Sequence, residues 1–179
     1  ANITASTGID AMVHAIEAFT SINSNNNPVS KMLSIEALKL LGSSIKTAVF
    51  DGHNINARSN MLLGSMLAGK AFANSPVAAV HALAYPIGGL FNISHGLSNS
   101  LVLTSVMKFN SKNEETKKNY AYLSPYVFKN LDNSKNDEFL CNNFIDGLER
   151  LCKELNLPYR LRDLEIPEEA CKLMASEAM

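Results

Sequence analysis

Apolar residues recur every three to four positions along most of this chain, and the strict alternation typical of strands is almost absent. The clearest stripe lies near the C-terminal end and contains Phe139, Leu140, Phe144, Leu148, Leu151 and Leu155. No internal repeat or low-complexity tract interrupts the pattern. It predicts an all-α fold, a bundle of about seven or eight helices joined by short polar turns, in one domain over residues 1–179.

Polar residues indicate where the first two helices begin. The first is predicted from about Thr7 to Ser21, with the side chain of Ser6 or Thr7 as its N-cap. In the second, Asn27 is the predicted N-cap and Pro28 takes the first helical position, where the missing N–H of proline costs nothing.

The middle of the chain predicts a central helix and then a sharp bend. Small residues over 56–74 would let a neighbouring backbone approach closely, which favours the centre of the bundle for this helix. Further on, Pro86, Gly88 and Gly89 predict a bend between two helices, and Ser94 is the predicted cap of the second.

Composition excludes several classes of protein. A hydrophobic content of 46% is enough for a core, and a net charge of -1 without a dense basic run argues against nucleic acid or membrane surfaces as partners. No apolar segment is long enough to span a membrane, and no signal peptide opens the chain. Cys141, Cys152 and Cys171 lack CxxC spacing, so we expect reduced thiols and a cytoplasmic protein.

Candidate metal ligands occur as two pairs. Asp10 and His14 are four residues apart, which places both side chains on one helical face, although such a pair is more often a surface hydrogen bond. His81 and His95 flank the predicted bend in the most apolar part of the chain. Three imidazoles and one carboxylate suit Fe²⁺ or Zn²⁺. His53 lies in a polar turn and is predicted to be solvated.

These residues lie in three blocks that carry a family resemblance. TASTGIDAMVHAIEAF, DGHNINARSNMLLGSMLAGKAFANSPVAAVHALAYPIGG and NISHGLSNSLVLTSVMKFN resemble the iron-containing (group III) alcohol dehydrogenases along most of their C-terminal domain. The match is strong over about residues 4–110, whereas only the helical pattern supports it from 111 to 179.

The resemblance implies a catalytic site and its cofactors. Asp10, His14, His81 and His95 match the family's four metal ligands, with Fe²⁺ expected and Zn²⁺ as the alternative. NAD or NADP would bind mainly to an N-terminal α/β domain that is absent here, since the sequence contains no GxGxxG motif. A final helical stretch is also expected to be missing. The implied substrate is a small alcohol or aldehyde, and the implied assembly is a homodimer.

One position departs from the family pattern. Many members carry a further histidine four residues after the counterpart of His81, near the nicotinamide, whereas this chain has Tyr85. A proton-relay role for that histidine is therefore in doubt here, and Tyr85 is the candidate catalytic residue at the same place. Leu90 and Phe91 are candidates for the apolar wall around the substrate.

Two alternatives remain open from the sequence. A polyol dehydrogenase or a dehydroquinate synthase would share the architecture with a different reaction. A helical metal-binding or dimerisation fragment would have no activity by itself. As a dimerisation module it would use the histidines only to pack a core, and as a fragment it would expose an apolar patch prone to association.

Overall fold

The structure is a computed structural model that describes residues 1–76, 78–128 and 135–178. Within these ranges the chain is helical and contains no strand, so the predicted all-α bundle of seven or eight helices is confirmed. The α-helices are α1 (Asn2–Thr20), α2 (Pro28–Phe50), α3 (Ile55–Phe72), α4 (Ala79–Phe91), α5 (His95–Asn110), α6 (Glu114–Val127), α7 (Asp137–Glu154) and α8 (Ala170–Glu177). A short 3₁₀ helix, Leu161–Leu164, precedes α8.

The first helix is the centre of the bundle. It packs against α2, α3, α5 and α6, and apolar side chains such as Ile9, Met12 and Ile16 are almost completely buried on it. The predicted central position of α3 is therefore wrong, because α3 buries one narrow face and leaves Leu62 exposed to solvent. Asp10 and His14 consequently project from the helix that is most firmly held by its neighbours.

The start of α1 differs from the prediction, whereas the start of α2 agrees with it. Ser6 and Thr7 lie inside α1, where both hydroxyls donate to the carbonyl oxygen of Ile3 at 3.2 and 2.7 Å. Hydroxyl side chains often bond back to the preceding turn in this way, and the sequence does not distinguish this from capping. At α2, Oδ1 of Asn27 accepts from the backbone N–H groups of Val29 and Ser30.

Pro86, Gly88 and Gly89 do not make the predicted bend, since all three lie within α4. The helix ends at Asn92, whose φ of 56° is left-handed, a conformation that asparagine tolerates better than most residues. Ser94 precedes α5 as predicted but makes no capping hydrogen bond through its side chain. The turn between α4 and α5 is therefore placed three to six residues later than Pro86 and the glycines suggested.

Two clusters of buried apolar side chains hold the helices together. The larger joins α1, α2, α5, α6 and α7 and includes Leu38, Leu103 and Phe144. The smaller joins α4, α5 and α8 around Ile87 and Leu101. Both clusters contact α5, so this helix is held on two sides at the place where it approaches α1.

The remaining predictions concern the cysteines, a polar segment and membrane spans. Cys141, Cys152 and Cys171 are free thiols, as expected. Polar composition predicts connections over 111–119 and 131–137. Residues 111–113 do form a turn, but 114–119 belong to α6, and the second segment falls largely outside the described residues. None of the helices in the described part of the chain is both long and apolar enough to cross a membrane.

Replacing Asn27 by alanine is expected to lower the free energy of unfolding by about 1 kcal/mol, because two backbone N–H groups at the start of α2 lose their acceptor. Asn27→Asp keeps the acceptor oxygen and should unfold at nearly the wild-type denaturant concentration. Chemical denaturation followed by circular dichroism measures both. Equal stability of the alanine and aspartate variants would contradict the capping role.

Candidate metal centre

Three helices bring the four predicted ligands to one place. Asp10 and His14 lie one turn apart on the same face of α1, His81 lies in the first turn of α4, and His95 is the first residue of α5. The short connection from Asn92 to Ser94 turns the chain back, so that α4 and α5 approach the same end of that face. Residues far apart in sequence therefore meet around a single carboxylate.

Oδ1 of Asp10 is the common neighbour of the imidazoles. It lies 3.8 Å from Nδ1 of His14, 3.6 Å from Nε2 of His81 and 3.6 Å from Nε2 of His95. The ring centroids of His81 lie 4.4 Å from His14 and 5.3 Å from His95. The Nε2 atoms of His81 and His95 are too distant for direct hydrogen bonds to the carboxylate, yet close enough for one small ion to reach both of them and Oδ1 together.

The hydrogen bonds of two imidazoles determine which nitrogen remains free. Nδ1 of His14 lies 2.9 Å from the carbonyl oxygen of Asp10, and Nδ1 of His81 lies 2.7 Å from Oε2 of Glu17. Carbonyl and carboxylate oxygens only accept, so both Nδ1 atoms carry the proton and donate it. Nε2 is then the nitrogen that each ring offers to a metal. Nε2 of His81 is buried and has no hydrogen-bond partner among the described residues.

Burial differs between the predicted ligands. His81 is 1% exposed, whereas the side chain of His95 is 46% exposed, so the apolar sequence around both histidines corresponds to burial only for His81. The difference arises because His95 begins a helix at the surface, directly after the turn. The described residues whose ligand atoms all lie within 4.8 Å of one another are Asp10, His14 and His81. His95 therefore forms the open side of the cluster.

Charge inside the cluster shifts the pKa of its members. Burial lowers the pKa of His81, but the carboxylates of Asp10 and Glu17 outweigh it and raise this pKa to about 9. Burial lowers the pKa of His14, and the opposing attraction of Asp10 is weaker. Burial opposes ionisation of Asp10, yet His81, His14 and His95 keep the pKa of its carboxyl below the usual value. Two carboxylates around His81 thus favour positive charge at this position.

Glu17 was missed by sequence reasoning, although the sequence contains a signal for it. It follows Asp10 by seven positions and His14 by three, so all three share one helical face. A carboxylate within the otherwise apolar run 15–19 is also unusual, because buried carboxylates require partners.

Asn99 is a second residue that sequence reasoning missed. Its Nδ2 donates to Oδ1 of Asp10 at 2.6 Å and lies 3.2 Å from Nε2 of His95. It follows His95 by four residues on α5, and this helical spacing was the available signal. The amide fixes the orientation of the Asp10 carboxylate, in the way that outer-shell groups orient metal ligands.

The other candidate residues lie around the cluster or away from it. The Tyr85 ring stacks on His95 with centroids 5.9 Å apart, and the residue is 60% exposed. Phe72 contacts the His14 ring.

The remaining candidates lie away from the cluster of predicted ligands. Leu90 is exposed and Phe91 packs on the smaller apolar cluster. His53 lies exposed in the turn before α3, as predicted.

Comparison with known proteins identifies the family. The model of the Fe-containing alcohol dehydrogenase family, C-terminal, matches residues 4–179. The chain belongs to the iron-containing alcohol dehydrogenase family. Its resemblance to this family, seen first in the three sequence blocks, is confirmed, and the match also includes the region from 111 onward.

Relatives within the iron-containing alcohol dehydrogenase family include enzymes for different alcohols. Long-chain-alcohol dehydrogenase 1 of Geobacillus thermodenitrificans is 38% identical, and the aligned region covers 99% of this chain and 44% of that protein. A 1,3-propanediol oxidoreductase of known crystal structure is 32% identical in sequence. Its superposition has a TM-score of 0.91 and covers 97% of this chain and 44% of that one.

A third relative is described with a nucleotide. The sulfoacetaldehyde reductase of Bifidobacterium kashiwanohense, crystallised in complex with NAD⁺, is 25% identical with a TM-score of 0.83, and the alignment covers 98% of this chain and 43% of that one. This chain therefore spans less than half the length of each of these three relatives.

Proposed function

We propose that this chain is the metal-binding catalytic part of an NAD(P)-dependent alcohol dehydrogenase, with Asp10, His14, His81 and His95 as ligands of one divalent ion. The observation that carries the proposal is the convergence of the imidazoles on Oδ1 of Asp10, together with the buried, unpartnered Nε2 of His81. A buried polar atom without a partner is costly, and coordination of an ion removes that cost.

The donor set is chemically compatible with both Fe²⁺ and Zn²⁺, and the family favours Fe²⁺. Imidazole and carboxylate suit both ions, and the family membership favours iron. The exposed side of the cluster at His95 leaves room for a substrate oxygen, as a catalytic site requires.

When bound, the ion supplies Lewis acidity toward an alcohol or carbonyl oxygen, and the nicotinamide accepts or supplies the hydride. The chain's own residues prepare the site for this chemistry. Asp10 contributes negative charge and is oriented by Asn99, while the Nδ1–H bonds of His14 and His81 leave Nε2 as the nitrogen that each ring can offer to the ion. Phe72 and Tyr85 contact the rings of His14 and His95, where they support the orientation of the two imidazoles.

The dinucleotide and the substrate are the less detailed part of the proposal. The sequence contains no glycine-rich phosphate-binding motif. We therefore propose that NAD or NADP binds mainly to a region that corresponds to the part of the relatives outside the alignment. The proposed substrate class is a small primary alcohol or diol and the matching aldehyde. The similarity of this chain to a 1,3-propanediol oxidoreductase supports a small diol, whereas its similarity to a long-chain-alcohol dehydrogenase does not favour a small alcohol. The homodimer, the cytoplasmic location and the catalytic role of Tyr85 stay predictions.

Anaerobic titration of the purified chain with Fe²⁺ or Zn²⁺ tests the metal site. We expect about one equivalent to bind, because one set of ligand atoms converges on one point. The 179-residue chain alone is expected to bind the ion without oxidising alcohols in the presence of NAD or NADP. Failure of wild-type chain to bind either ion would contradict the proposed site, and turnover by the chain alone would contradict the assignment of the dinucleotide elsewhere.

A further inference from the structure

Glu17 makes three hydrogen bonds that connect α1 to the start of α4. Its Oε1 accepts from the backbone N–H of Val80 at 2.7 Å. Its Oε2 accepts from the backbone N–H of Ala78 at 2.9 Å and from Nδ1 of His81 at 2.7 Å. The residue is only 5% exposed, so these bonds are shielded from water.

The start of α4 has no capping side chain of its own. Ala78 occupies the N-cap position and offers no acceptor, which leaves the first N–H groups of the helix in need of partners. Glu17 supplies both oxygens from another helix, and its negative charge is favourable at the positive end of the α4 dipole. The carboxylate therefore fixes where α4 begins relative to α1.

The same oxygen atom also fixes the orientation of an imidazole. Oε2 accepts from both the backbone of Ala78 and the ring of His81, so one atom contributes to the position of the helix and to the rotation of the ring. Because Nδ1 of His81 is the donor, Nε2 faces Asp10. Removal of the carboxylate would affect both features together.

We propose that Glu17 is a positioning residue of the metal centre, which caps α4 from α1 and holds His81 with Nε2 directed at the ion. The proposal rests on the proposed metal site. Loss of an outer-shell partner of this kind weakens metal binding by about 10–100-fold.

Glu17→Gln is the most specific variant for this test. Glutamine keeps the length and shape of the side chain but has one acceptor oxygen, so its NH₂ group must face either Val80 or the pair formed by Ala78 and His81. Glu17→Asp keeps the charge and shortens the reach by one methylene. Glu36→Gln is the matched control, since Glu36 lies exposed on α2 and bonds to Lys39.

Two measurements on the full chain separate positioning from a merely structural role. Zn²⁺ titration gives the affinity of each variant, and ¹⁵N NMR reports amide exchange of Val80 together with the His81 Nδ1–H signal at saturating Zn²⁺. We expect Glu17→Gln to weaken Zn²⁺ binding at least about tenfold, to accelerate exchange at Val80 and to shift or broaden the His81 signal. Glu36→Gln should change none of these.

Wild-type affinity within twofold in Glu17→Gln, with an unchanged His81 signal, would overturn the proposal. If Glu17→Gln does not fold, Glu17→Asp is judged by the same criteria. Absence of both Zn²⁺ and Fe²⁺ binding in the wild-type chain would instead overturn the proposed function. Amide exchange at Val80 would then decide separately whether Glu17 caps α4.

Discussion

Replacing His81 by glutamine is expected to weaken Zn²⁺ binding by at least about 100-fold. Loss of an outer-shell partner costs up to about 100-fold, and loss of a direct ligand should cost at least as much. His81 is the most buried of the four proposed ligands, and its Nε2 lacks any other partner among the described residues. Glutamine can fill much of the space and bond to Glu17, but it does not present a nitrogen base at the same point. Zn²⁺ titration against a competing chelator measures the change.

His53→Gln is the matched control for this variant, because His53 lies exposed in a turn and belongs to no cluster of candidate ligands in the described part of the chain. It should bind Zn²⁺ as wild type does. His14→Gln, at a partly exposed position, provides a second ligand variant if His81→Gln does not give a folded helical spectrum. Unchanged affinity in a folded ligand variant would show that the histidines serve packing and not coordination.

The helical pattern predicted the fold well because most buried faces follow a simple spacing. On α4 the buried positions Val80, Ala84 and Ile87 continue the helical period past Pro86. Sequence reasoning gave more weight to proline than to this apolar face, and tertiary packing against α5 and α8 prevailed. Asn92, which ends the helix with a left-handed φ, was the less conspicuous signal.

Local spacing in the sequence predicts only one of the two ligand pairs of the candidate site. The spacing of Asp10 and His14 places them together on any helix, whereas their distance from His81 and His95 depends on how three helices cross. The resemblance to the family supplied that association before the structure did. The hydrogen bonds that Glu17 accepts from backbone N–H groups more than sixty residues away depend on how the start of α4 approaches α1, and no local pattern encodes them.

Gly96→Ala is expected to lower the free energy of unfolding by about 1–3 kcal/mol, the usual cost of overpacking a closely fitted contact. A Cβ at this position would lie 2.5 Å from the carbonyl oxygen of Ser6 and 2.8 Å from its carbonyl carbon. The obstacle is the backbone of α1, which cannot rotate away as a side chain would. Chemical denaturation of the metal-free chain measures this loss.

Gly69→Ala is the matched control for the stability measurement. Gly69 lies inside α3, and a Cβ there meets no atom of the described residues within 4 Å. Alanine should therefore stabilise the protein by about 0.5–1 kcal/mol, because it favours helix over the unfolded chain. Opposite signs for the two substitutions would show that contact with Ser6, and not helix propensity, determines the effect at Gly96.

Gly96→Ala is also expected to weaken Zn²⁺ binding about tenfold, the usual effect of displacing a group that supports a metal ligand. Gly96 follows His95 directly, and α5 must move away from α1 to accommodate the new methyl group. This movement increases the distance between Nε2 of His95 and Oδ1 of Asp10, now 3.6 Å, and pulls Asn99 from its bond to the same oxygen. Wild-type affinity in a destabilised Gly96→Ala chain would show that His95 is not a ligand, because its displacement would then leave the ion's coordination intact.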